Sequence, residues 1–83
     1  MSGYHKKEIE KGTVGELSKI YEEIEELKDA DEQGVNLMVL LELSDVIGAI
    51  ELYLSKHHKS ISLDDLISMS RLTQEVFIGG FRK

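Results

Sequence analysis

The chain has no cysteine and no proline. Lacking cysteine, it can build neither a disulfide framework nor a thiolate metal site, a usage that fits a reducing cytosol. Its histidines are His5, His57 and His58, too sparse a ligand set for a structural zinc site. A long apolar run is missing too. The longest such stretch, Val35 to Leu54, is broken by Asn36, Glu42, Ser44, Asp45 and Glu51, so it is not a membrane span. Residues 1–12 are polar and charged, unlike a signal peptide, and a cytoplasmic protein is expected. Basic residues are few: 10 Lys and Arg against 16 Asp and Glu give a net charge of −6. That balance disfavours nonspecific DNA or RNA binding, which needs a basic surface. It leaves room for a nucleotide whose phosphates are bridged to carboxylates by divalent cations. No Ser-His-Asp arrangement is evident, and Gly79-Gly80 has neither the length nor the lysine of a phosphate loop.

What remains is a helical pattern. With proline absent and strand-like alternation weak, the 83 residues read as one all-α domain with a limited core. Residues 1–12 are expected to form a flexible arm and 13–83 the domain. Thr13 and Glu16 sit at capping-box spacing. After them Val14, Leu17, Ile20, Tyr21, Ile24 and Leu27 recur at three- and four-residue intervals, an apolar stripe that predicts a helix with Tyr21 in its core. The polar stretch 28–34 then reads as an interhelical connection closed by Gly34, suited to a left-handed C-cap. It superficially resembles a calcium loop, but its twelfth position, normally the bidentate glutamate, is Leu40. A second helix is expected from about Asn36 to Lys56. It is apolar nearly all round and therefore central, with Ser44 and Gly48 forming a small-residue face suited to close helix approach. Ser62 caps a third helix predicted to reach about Phe77, ended by Gly79-Gly80.

Two carboxylate pairs stand out. Glu23 and Glu26 share one side of the first helix with Glu16 and Lys19, away from the apolar stripe. Alone they read as a solvated acidic face. Glu42 and Asp45 differ: they lie in an arc that otherwise holds Met38, Leu41, Ala49, Leu52 and Tyr53. Neighbouring carboxylates in apolar surroundings need a basic partner, a shared proton or a cation. If a short loop packs the helices antiparallel, the pairs can oppose each other as an oxygen cage suited to magnesium. Geometry alone leaves metal binding level with acids that are lysine-paired or exposed at an open edge.

The segments Lys19 to Leu27 and Leu41 to Ile47 resemble the paired motifs of the MazG-like all-α nucleoside triphosphate pyrophosphohydrolases, Glu-Glu-x-x-Glu followed by Glu-Glu-x-x-Asp. Glu22, Glu23 and Glu26 fill the first motif, and Glu42 and Asp45 fill the last two acidic places of the second. Leu41 stands where the family has an acid. The resemblance extends over 13–83. It implies a MazG-like antiparallel helical bundle completed by oligomerisation as a homo-dimer or tetramer. It further implies magnesium, with manganese as a substitute, held by Glu23, Glu26, Glu42 and Asp45. The implied reaction is attack of water on a nucleoside triphosphate, releasing the monophosphate and pyrophosphate. Glu22 or Glu23 would accept the proton, Glu22 in a supporting role. Lys19 is the best placed phosphate-binding residue, with Arg71, Arg82 and Lys83 as further candidates. Tyr21, Tyr53 and Phe81 are candidates for base stacking. The alternative is a non-catalytic nucleotide-binding or regulatory interaction module on the same scaffold.

Overall fold

A computed structural model describes residues 8–78 of the chain. Three α-helices follow one another: α1 (Leu17–Gln33), α2 (Asn36–His57) and α3 (Leu63–Ile78). No strand occurs among the described residues, and no described helix is long and apolar enough to cross a membrane. The expectations on His5, Gly79-Gly80, Phe81, Arg82 and Lys83 fall outside the described residues.

α1 does not begin as the capping-box spacing predicts. Its N-cap is Glu16, with no side-chain cap bond. Thr13 instead opens a turn: the Glu16 amide donates to the Thr13 carbonyl at 3.0 Å, and Gly15 sits at φ +86°. A glycine with positive φ at the third position is the requirement of a type II turn. The turn rests on α2, since a Cβ on Gly15 would lie 3.0 Å from Lys56 Cδ. The other end behaves as the sequence predicts. Gly34 adopts φ +76°, and its amide donates to the carbonyls of Ala30 and Asp31. The helix nevertheless runs through most of the stretch read as a connection, leaving only Gly34 and Val35 between α1 and α2.

So short a link forces the helices into an antiparallel hairpin. Glu16, at the start of α1, meets the end of α2, pairing with the Lys56 ammonium and with His57 Nε2 at 3.0 Å. Ser62 caps α3 as predicted. Its hydroxyl accepts from the Asp65 amide at 3.2 Å while Asp65 Oδ2 accepts from the Ser62 amide at 2.9 Å, a reciprocal box. α2 is the central element, packed along α1 and touching α3, whereas α1 and α3 do not meet.

The hairpin's interior inverts the usual distribution. Its buried apolar residues are Ala30, Ala49 and Leu54, whereas Glu22, Glu23, Asp29 and Glu42 are all buried. Most of the predicted stripe of α1 faces outward, with Tyr21 64% exposed and Val14, Leu17 and Ile24 also exposed, while Ile20 and Leu27 are half-buried. Tyr21 is therefore a surface residue, and the acidic side of α1 is the side that meets α2. The Ser44–Gly48 face is not a point of close approach among the described residues either, because a Cβ on Gly48 would meet none of them within 4 Å.

Candidate metal centre

Antiparallel packing brings α1 and α2 together acid to acid. Glu23, Glu42 and Asp45 each offer a carboxylate oxygen, all within 4.8 Å of one another. Glu22, Glu23 and Glu26 form a second such group, so Glu23 belongs to both. Glu42 is 0% exposed and Glu23 6% exposed, while Asp45 lies at the surface. The array thus runs from a buried floor to an open rim.

The floor is incompletely satisfied. Glu23 Oε1 is buried with no hydrogen-bond partner among the described residues. Its other oxygen, Oε2, accepts from Lys19 Nζ at 3.0 Å. Leaving a buried charged oxygen without a donor carries a large desolvation cost, so the position calls for a cation or a proton. Beside it an open cleft of about 480 Å³ is bounded by Lys19, Glu23, Ser44, Asp45, Gly48, Ala49, Glu51 and Leu52. This lies within the size range of small-molecule sites. The small side chains at 44, 48 and 49 keep its α2 wall low.

Glu22 is placed differently from its neighbours. Its Oε1 accepts from the Gly12 amide at 2.8 Å and from Lys19 at 3.2 Å, and Lys11 lies 4.0 Å from Oε2. Burial raises its carboxyl, but the Gly12 amide, Lys19 and a hydrogen bond with Glu26 outweigh that and hold it below the ordinary carboxylate value. Burial likewise lowers Lys19, and its bonds to Glu23 and Glu22 more than reverse this, raising the ammonium above its usual value. A carboxylate bound by so many donors is a poor proton acceptor. Glu22 is better suited to positioning Lys19 and the segment before α1.

The contact between Gly12 and Glu22 was not legible beforehand. A Cβ on Gly12 would collide with the Ser18 carbonyl oxygen, so only glycine lets the chain pass this close to α1. Asp29 was missed as well. It is 2% exposed and accepts from Gln33 Nε2 at 2.9 Å; its i,i+4 spacing to Gln33 was the available signal. Of the other sequence candidates, Arg71 is exposed on α3, and Tyr53 stacks on His57 with ring centroids 4.7 Å apart. Neither borders the cleft. No protein-family model, characterised protein or solved structure matches the chain.

Proposed function

We propose that the α1–α2 carboxylates hold magnesium, with manganese as a substitute, and that the chain is a MazG-like nucleoside triphosphate pyrophosphohydrolase working as a homo-oligomer. The observation that carries this reading is Glu23 Oε1, buried and without a donor at the meeting point of two acid groups. Hard carboxylate oxygens are the donor set magnesium prefers. Their oxygens all lie within 4.8 Å of one another, so a small closing movement would bring them to the span across one such ion, about 4.2 Å. Glu23, Glu42 and Asp45 would form the principal ligand set, with Glu26 joining through the group it shares with Glu23. When bound, the metal would neutralise phosphate charge and lower the pKa of an adjacent water. The remaining roles belong to the chain itself. Lys19 offers a positive group to the phosphates at the cleft, Glu23 is the better placed proton acceptor, and Glu22 holds Lys19 in position.

The test is pyrophosphate release from a panel of standard and modified nucleoside triphosphates with magnesium, with Glu26→Gln and Asp45→Asn alongside. Release by the wild type and a loss of about 10–100-fold in Asp45→Asn are expected, the range seen even when groups that only support metal ligands are changed. Equal rates in all three proteins would end the enzyme reading. The exposed apolar residues of α2 and α3 favour a second reading, a non-catalytic interaction module. It predicts tight association with no turnover.

A further inference from the structure

Lys19 lies where a cation is already at work. Its ammonium bridges Glu23 Oε2 at 3.0 Å and Glu22 Oε1 at 3.2 Å, and among the described residues it is the cation paired with Glu23. Both carboxylates are buried, yet the lysine side chain is 25% exposed, so the ammonium has a path to solvent along the cleft wall. A lysine is a compact charge on a flexible four-carbon stem, able to change partners without moving the backbone. Glu23 therefore has one oxygen, Oε2, on the lysine and the other, Oε1, buried without a donor, while the residue as a whole groups with Glu42 and Asp45.

These positions set two cations in competition. A divalent ion on Glu23, Glu42 and Asp45 would draw electron density from Glu23 and repel the neighbouring ammonium. We propose that Lys19 is a built-in counter-ion of the metal-free protein, displaced from Glu23 when the divalent cation binds and thereby freed toward the cleft for an anionic group of the substrate. The inference rests on the metal reading above and adds an order of events. The protein presents its phosphate-binding lysine only after the metal is in place, so a metal-free triphosphate finds the lysine occupied and the acids facing it.

The test measures metal binding directly, without turnover. Magnesium is titrated calorimetrically into wild type, Lys19→Met and Lys19→Arg, with folding checked by circular dichroism. Removing a charge-assisted bond from the competing ligand should tighten magnesium binding roughly tenfold in Lys19→Met, while Lys19→Arg binds no tighter than wild type. In the wild type, the side-chain ammonium resonance of Lys19, slowed in exchange by its two carboxylates, should shift or broaden as magnesium is added. That measurement decides the matter if Lys19→Met fails to fold. Unchanged or weaker magnesium affinity in a folded Lys19→Met, or an ammonium resonance indifferent to bound magnesium, overturns the displacement and leaves the metal site standing. Absence of magnesium binding in both wild type and Lys19→Met overturns the metal site and the displacement together.

Discussion

Glu42 has no solvent exposure and shares a small volume with Glu23 and Asp45. Each pair of ionised carboxylates about 5 Å apart repels by roughly 3 kcal/mol at an effective dielectric of 20. Glu42→Gln keeps the shape and removes one charge, so relief of that repulsion should stabilise the metal-free protein by up to about 3 kcal/mol. On the proposed metal site, it should also abolish the stabilisation expected from added magnesium. Urea denaturation with and without magnesium reads both effects, and a metal-free loss of stability would show that the Glu42 charge itself is needed for folding. Glu22 and Lys19 set a pH window. Glu22 is held below 4.5, so its stabilisation is present above about that pH and disappears as pH falls through its folded value. Lys19 is raised above 10.5, so its contribution is intact below that pH and lost as pH rises through the folded value. Denaturation midpoints should be level between these limits and decline outside them, and Glu22→Gln should flatten the acid limb. A midpoint insensitive to acid in wild type would show that Glu22 gains nothing on folding. At this scale the burial of Glu42 was legible from its apolar neighbours, whereas Asp45, Leu41 and Leu52 in the same arc are exposed. The role of Glu22 was not legible, because it depends on the Gly12 amide ten residues away, a contact no helical period encodes.

Two glycines inside the described helical region have opposite physical roles, and single substitutions separate them. Gly34 ends α1 at φ +76°, a conformation costing an L-residue roughly 1 kcal/mol. Gly34→Ala should therefore lower stability by about that amount. Gly48 is interior to α2 with open space where its Cβ would stand, so Gly48→Ala should raise stability by about 1 kcal/mol through helix propensity alone. Thermal melts at one protein concentration check both, and a loss at Gly48→Ala would reveal that another chain packs against that face. The elements themselves were largely legible. Gly34 and Ser62 mark their helix boundaries by local chemistry that survives in the folded chain. The start of α1 was misread because Thr13 and Glu16 fit a capping box as well as they fit the corners of a turn, and Gly15 decides for the turn. The burial of α1 was misread for a different reason. A helical period reports which residues share a side, and it is α2, bringing Glu42 to the interface, that selects the acidic side.

At the scale of the whole molecule, many large apolar side chains among the described residues are exposed. Leu37 and Leu40 on α2 are 67% and 63% exposed, Leu72 on α3 is 64% exposed, and Met69 beside it is also open. Between α1 and α2 a groove of about 430 Å³ is lined by Ile24, Leu27, Lys28, Asp31 and Val39. An isolated helix of α3's 16 residues is marginal in water, and α3 gains little from its brief contact with α2. Buried Ala30, Ala49 and Leu54 supply little apolar stabilisation to offset four buried acids. A lone subunit is therefore poorly stabilised, and covering these faces with further copies of the chain is the proposed remedy. If folding and association are coupled, stability must depend on concentration, by about 2.7 kcal/mol for each hundredfold change. The melting temperature should climb between micromolar and hundred-micromolar protein, with sedimentation reporting a dimer or larger. Leu40→Glu places a charge on the exposed face of α2 without touching the carboxylate cluster, so it should cut association and stability together. A monomer whose melting temperature ignores concentration would show that the hairpin stands alone. The exposed leucines would then have to be tolerated by a subunit whose buried acids are balanced from within, Glu22 and Glu23 by Lys19 and Asp29 by Gln33.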